Sequence, residues 1–102
     1  MIALLEDNRE QIAALCREHH VRRLEVFGSA ATGAFDPETS DLDFLVDYQP
    51  LEPGERADAY FGLLEGLEAL LERSVDLVMT RAIENPYFLR AIEPTREVLY
   101  AA

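Results

Sequence analysis

The stretch VFGSAATGAFDPETSDLDFLVD, from Val26 to Asp47, contains the two features around which the rest of the chain is organised. It opens with the end of an apolar strand followed by Gly28-Ser29, and it closes with a second strand that begins with Asp41 and Asp43. Side chains alternate between the two faces of a strand, so these carboxylates share one face and their apolar neighbours take the other. Two partly buried carboxylates repel each other and need hydrogen-bond donors or a cation. Beside a turn whose backbone N–H groups can bind phosphate, magnesium fits best, and the stretch therefore predicts a nucleotide site.

The length and charge of the chain limit its size and its partners. We expect 102 residues to form one domain, residues 1–102. Because no apolar run approaches the roughly 20 residues that span a bilayer and the N-terminus lacks signal-peptide features, we predict a cytoplasmic protein without membrane contact. The net charge of -11 argues against direct binding of nucleic acid, which needs basic side chains. It favours a partner with a basic surface or, equally, a merely soluble acidic surface.

The remaining sequence predicts alternating helices and strands. The apolar periodicity predicts helices over 1–20, 29–32, 55–73 and 86–92 and strands over 21–27, 41–47, 74–79 and 96–101, with a turn over 35–40. Asn8 offers a second start for the first helix, and Asn85-Pro86 form the cap and first residue of the last. Gly62 and Gly66 predict a close approach of the longest helix to the sheet. This order indicates a small α/β (α+β) fold, a mixed sheet flanked by helices.

Asp76 adds a third carboxylate, since it is the charged residue within the apolar third strand. If this strand lies beside the second, Asp76 converges with Asp41 and Asp43. Oxygen-only ligation suits magnesium or manganese, and such a triad can hold two ions that bridge a triphosphate. Asp41 and Asp43 would bind both ions, while Asp76 would bind one and help remove the proton of an attacking hydroxyl. The amides of Gly28 and Ser29 and the Ser29 hydroxyl would hold the β- and γ-phosphates. The alternative is three acidic strand ends without a metal.

These motifs carry a resemblance to a known family. Phe27-Gly28-Ser29, then eleven residues, Asp41-Leu42-Asp43, and finally Val75-Asp76-Leu77-Val78 resemble the minimal nucleotidyltransferase (MNT) domains of the polymerase β superfamily over nearly the whole chain. The resemblance implies a polymerase β-like nucleotidyltransferase fold. It also implies Asp41, Asp43 and Asp76 as catalytic and metal-binding residues, Gly28 and Ser29 as nucleotide-binding residues, two Mg²⁺ ions as cofactors, and ATP as the substrate.

The same resemblance implies a partner. Several stand-alone MNT domains are antitoxins of HEPN/MNT toxin–antitoxin pairs that transfer AMP from ATP to a tyrosine of the HEPN ribonuclease toxin. The chain is therefore expected to be a protein adenylyltransferase in a hetero-oligomer with such a toxin. Two alternatives stay open, namely an antitoxin that masks its toxin without catalysis and an enzyme that acts on a small-molecule hydroxyl. Many relatives carry arginines directly after the Gly-Ser pair, where this chain has Ala30, Ala31 and Thr32.

Overall fold

The computed structural model describes residues 1–33, 36, 41–80 and 85–102. In chain order the elements are α1 (Ala3–Asp7), α2 (Arg9–Glu18), β1 (Val21–Phe27), α3 (Ser29–Thr32), β2 (Leu42–Tyr48), α4 (Pro53–Leu71), β3 (Val75–Met79), α5 (Pro86–Ile92), a 3₁₀ turn (Glu93–Thr95) and β4 (Glu97–Ala101). The predicted alternation of helices and strands is confirmed. The turn predicted over 35–40 lies, except for residue 36, outside the described residues.

The four strands form one mixed sheet in the order β3-β2-β1-β4. β1 pairs antiparallel with both β2 and β4, whereas β2 pairs parallel with β3. The parallel pair is connected through α4, since parallel neighbours need a long crossover whereas antiparallel ones can follow a tight turn. This order places β2 between β1 and β3, with β3 and β4 at the two edges of the sheet.

The main core lies between one face of the sheet and the helices α2 and α4. Its fully buried members come from both helices and from the two central strands: Ile12 and Cys16 of α2, Leu24 and Val26 of β1, Phe44 and Val46 of β2, and Leu63 and Leu67 of α4. On the opposite face a smaller cluster joins Phe27, Leu45 and Ile92, with α5 covering this part of the sheet. β2 is therefore buried on both faces, because Phe44 and Leu45 belong to different clusters.

Two predicted helices have different bounds in the structure. The first is broken at Asn8, whose side-chain Nδ2 donates to the Leu4 carbonyl at 2.8 Å and makes no capping bond to α2. The longest helix begins at Pro53, two residues before the predicted start, because proline lacks the N–H that the first helical turn leaves without a partner. It ends at Leu71, followed by Glu72 in a left-handed conformation at φ 53°.

The glycine pair of α4 packs against a different neighbour from the one predicted. A Cβ atom on Gly62 would lie 2.6 Å from the His19 ring, and one on Gly66 would lie 2.8 Å from a methyl group of Leu15. Both contacts come from the α2 side rather than from the sheet. The prediction of a close approach to the sheet is wrong, and the small residues instead bring α4 and α2 together.

The outer edge of β3 is covered by side chains of α4. The Tyr60 hydroxyl donates to the Leu77 carbonyl at 2.6 Å, and Glu68 Oε2 accepts from the Val75 amide at 3.2 Å. These bonds satisfy backbone groups that an open edge would expose to another strand. In the part of the chain with described structure, no helix is long and apolar enough to cross a membrane.

Candidate active site

The turn after β1 has a conformation that requires glycine. Gly28 has φ 73° and ψ -147°, a region that residues with a Cβ rarely adopt. A Cβ at this position would also lie 3.0 Å from Asp43 Oδ2. Ser29 follows as the first residue of α3, which has the predicted bounds and is followed by Gly33 in a left-handed conformation. Glycine therefore allows the backbone of the Gly28-Ser29 turn to approach the Asp43 carboxylate.

Asp43 lies at the centre of the predicted carboxylate group. It is paired with Phe27 on β1 and with Asp76 on β3, so Asp43 and Asp76 are direct neighbours across the parallel ladder. Neighbours in register present their side chains on the same face of a sheet. Asp41 precedes β2 by one residue, two positions before Asp43, and is exposed. The predicted convergence of the three aspartates required the third strand to lie beside the second, and this arrangement is confirmed.

The charges of these aspartates act on one another. Burial raises the pKa of the Asp43 carboxyl, and the negative charges of Asp76 and Asp41 raise it further. A cation beside Asp43 would remove this repulsion, so the donor chemistry fits a hard divalent ion. The side chains are nevertheless not drawn together, since no three acidic, histidine or cysteine side chains among residues 1–33, 36, 41–80 and 85–102 form a group that could hold a metal ion.

The backbone amide of Gly28 already has a partner within the protein. Its N–H donates to the Thr95 hydroxyl at 3.1 Å, across 67 residues of sequence. In this conformation the amide is not the free phosphate donor that the sequence analysis assigned to Gly28, whereas the assignment of Ser29 stays a prediction. Sequence reasoning missed Thr95, because nothing in the local pattern around it indicates a partner so far along the chain.

The two alanines after Ser29 are part of the core. Ala30 is fully buried and Ala31 is 5% exposed. The Ala30 carbonyl accepts from the Ile2 amide at 3.0 Å, which packs the N-terminus against α3. Arginines at these positions would have to displace core contacts or leave this arrangement. The small residues are thus explained by packing.

The same face of the sheet carries a network of ion pairs beyond the carboxylates. Glu25 on β1 is 5% exposed and accepts two hydrogen bonds from Arg96, Nε to Oε2 at 2.6 Å and Nη2 to Oε1 at 2.9 Å. Arg23 Nε lies 2.7 Å from Oε1 of the same carboxylate. Nearby, Arg22 pairs with Asp47. The pair between Arg96 and Glu25 fixes the segment before β4 against β1.

Comparison with known proteins places the chain in a family. Residues 9–99 match the model of the nucleotidyltransferase domain. The "Putative protein adenylyltransferase MJ1379" of Methanocaldococcus jannaschii is 34% identical over 76 residues, which is 74% of each chain. A solved "putative minimal nucleotidyltransferase" is 34% identical with a TM-score of 0.73, and the match covers 91% of this chain and 90% of that one.

A more distant structure shares the fold. It is that of a tri-AMPylated Shewanella oneidensis HEPN toxin in complex with its MNT antitoxin. The matched chain is 22% identical, with a TM-score of 0.62 over 96% of this chain and 73% of that one. The match of the family model and the two 34% identical relatives carry the assignment. This chain belongs to the nucleotidyltransferase domain family and has the polymerase β-like fold of its minimal members.

Proposed function

We propose that this chain is an antitoxin-type protein adenylyltransferase, which transfers AMP from ATP to a tyrosine of a partner HEPN ribonuclease toxin and so neutralises it. The observation that carries the proposal is that the glycine-dependent turn lies so near the half-buried Asp43 that a Cβ on Gly28 would be 3.0 Å from its carboxylate, with Asp76 in register beside Asp43. A phosphate-binding turn and a group of carboxylates on one sheet face are the parts that nucleotidyl transfer needs.

Each residue of the site has a role in this reaction. Asp41, Asp43 and Asp76 would hold Mg²⁺, which when bound supplies positive charge to the triphosphate. The Ser29 amide and hydroxyl orient the β- and γ-phosphates. The tyrosine oxygen attacks the α-phosphorus and the bond to the bridging oxygen breaks, which releases pyrophosphate. Asp76 is exposed and accepts the proton that the tyrosine loses.

The relatives support the acceptor and the partner. The M. jannaschii relative carries the name of a protein adenylyltransferase, and the S. oneidensis complex contains an AMPylated HEPN toxin together with an MNT antitoxin. A protein acceptor also suits a chain of this size, because a partner chain brings its own surface to the open carboxylate face.

The test uses ATP labelled at the α-phosphate, magnesium and the protein encoded next to this chain. We expect label on that protein, none when ATP is labelled only at the γ-phosphate, and none after chelation of the metal. The Asp41→Asn/Asp43→Asn variant should lose the labelling, whereas Asp58→Asn, an exposed carboxylate on α4, should keep it. Absence of label, or equal labelling by the double variant, would refute the proposal.

A second candidate is an antitoxin that neutralises by binding alone. It is favoured by the buried Ala30 and Ala31, which bring no positive charge to the turn, and by the net charge of -11, which suits a basic partner surface. Growth of cells that express the toxin distinguishes the two. Neutralisation that survives Asp41→Asn/Asp43→Asn supports binding alone, and its loss with complex formation intact supports catalysis.

A further inference from the structure

The Thr95 hydroxyl bridges two backbone groups at the end of the Gly28-Ser29 turn. It donates to the Ile92 carbonyl at 2.9 Å, and its oxygen accepts from the Gly28 amide at 3.1 Å. A hydroxyl has one hydrogen to donate, so the bond to Ile92 fixes its orientation and leaves a lone pair directed at Gly28. The Thr95 hydroxyl oxygen is therefore already oriented to accept from the Gly28 amide before any ligand binds.

The segment that carries Thr95 is itself anchored to β1. The next residue, Arg96, donates two hydrogen bonds to the carboxylate of the buried Glu25. A bidentate pair to a buried carboxylate restrains both partners more than a single exposed contact does. The neighbour of Thr95 is thus anchored to Glu25, three residues before Gly28 in the chain.

We infer that Thr95 is a positioning residue for nucleotide binding, one that holds the Gly28 peptide so that the Ser29 amide and hydroxyl face the phosphates. The inference rests on the proposed function and adds a residue that the family motif does not contain. Gly28 has a positive φ, and without a Cβ its backbone can adopt many other conformations. Holding it in one of them therefore costs more conformational entropy than for any other residue. An acceptor that selects one of these conformations lowers the entropy cost of binding ATP.

A role for Thr95 as a competitor of ATP predicts the opposite effect on ATP affinity. If the phosphates take the Gly28 N–H, Thr95 competes with ATP for that donor, and removal of its hydroxyl tightens binding. If Thr95 positions the turn, the same change weakens binding. The sign of the effect on ATP affinity therefore separates the two roles.

The experiment measures the Kd for ATP with magnesium by calorimetry on the folded chain. Thr95→Val keeps the shape of the side chain and removes the acceptor, and we expect a Kd about fivefold higher, the effect of one hydrogen bond. Thr95→Ser retains the hydroxyl and should bind like the wild type. Thr80→Val is the matched control, because that hydroxyl also donates to a backbone carbonyl, Val46 at 3.3 Å, away from the turn.

The wild-type protein offers a test that does not depend on how a variant folds. We expect slow hydrogen exchange at the Gly28 amide in the free protein, preserved when ATP and magnesium are added. Fast exchange in the free protein, or loss of protection on addition of ATP, would overturn the inference, as would an equal or lower Kd for Thr95→Val. A chain that binds no ATP refutes the proposed function and this inference with it, whereas equal binding by wild type and Thr95→Val refutes this inference alone.

Discussion

Arg96→Met tests how much the ion pair on the open sheet face contributes to stability. The change removes both hydrogen bonds that Arg96 donates to Glu25, at 2.6 and 2.9 Å, and leaves a carboxylate that is 5% exposed. Breaking a buried pair by removing one partner costs about 3–5 kcal/mol. Arg23 stays 2.7 Å from the same carboxylate and recovers part of that cost, so we expect a loss of roughly 2–3 kcal/mol in the free energy of unfolding.

The loss should depend on pH in a defined direction. The hydrogen bond from Arg96 is the largest cause that holds the pKa of Glu25 below its usual range, and the charges of Arg96 and Arg23 act in the same sense against the effect of burial. A carboxyl with a lowered pKa in the folded state contributes stability above its unfolded pKa and loses it as the pH falls through the folded value. The difference between wild type and Arg96→Met should therefore be complete at pH 7 and shrink below about pH 4.

Urea denaturation followed by circular dichroism at several pH values measures both effects. Arg22→Met is a suitable control, because its partner Asp47 is reached by an arginine side chain that is 63% exposed, and surface pairs contribute about 0–1 kcal/mol. The double variant Glu25→Leu/Arg96→Met replaces the pair by apolar side chains and should unfold within about 1 kcal/mol of the wild type. A loss for Arg96→Met no larger than that of Arg22→Met, or one that persists undiminished in acid, would refute the reasoning.

Three further predictions concern glycines and the central carboxylate. Gly28→Ala should destabilise the fold by about 2 kcal/mol and abolish labelling, because the alanine would have a positive φ and a Cβ 3.0 Å from the Asp43 carboxylate. Gly33→Ala also has a positive φ but meets nothing within 4 Å, so it should cost about 1 kcal/mol and keep activity. Gly62→Ala should lower the urea midpoint, because its Cβ would lie 2.6 Å from the ring of His19, the residue directly after α2. Gly54→Ala, whose Cβ meets nothing within 4 Å, should leave the midpoint equal or higher. Asp43→Asn should raise the urea midpoint at pH 7, because ionisation of a carboxyl with a raised pKa lowers the stability of the folded state. The gain should vanish as the pH falls and the wild-type carboxyl becomes protonated. A gain that grows in acid would contradict this prediction.

Local signals predicted the elements near the site well. β1 and α3 have the predicted bounds, since Gly28 ends the strand and Gly33 ends the helix. The Asn85 side chain accepts from the Tyr87 amide at 2.9 Å, as expected of a helix cap. In each case the residue that sets the boundary acts on its own backbone, so neighbouring sequence was sufficient.

Contacts between distant elements were not predictable in the same way. The spacing of Gly62 and Gly66 indicates a close neighbour but not which element provides it, and the neighbour is α2. Asp43 and Asp76 were expected to meet if the third strand lay beside the second, and the parallel pairing of β2 with β3 places them in register. The bond between Gly28 and Thr95 follows no such periodicity, because it depends on how a 3₁₀ turn docks on the sheet.

The positions of the positively charged side chains determine how the charge of a bound triphosphate is balanced. A triphosphate brings several negative charges to a face that already carries Asp41, Asp43 and Asp76, and burial of Ala30 in the core keeps basic side chains out of that position on the turn. On the same face the described arginines of β1 and the segment before β4 are engaged in pairs with Glu25 and Asp47. Because these three arginines are engaged, we expect metal ions and a basic partner surface to supply positive charge to the triphosphate. ATP binding should therefore depend more steeply on magnesium concentration when the partner is absent than when it is bound, and an equal dependence in both states would contradict this.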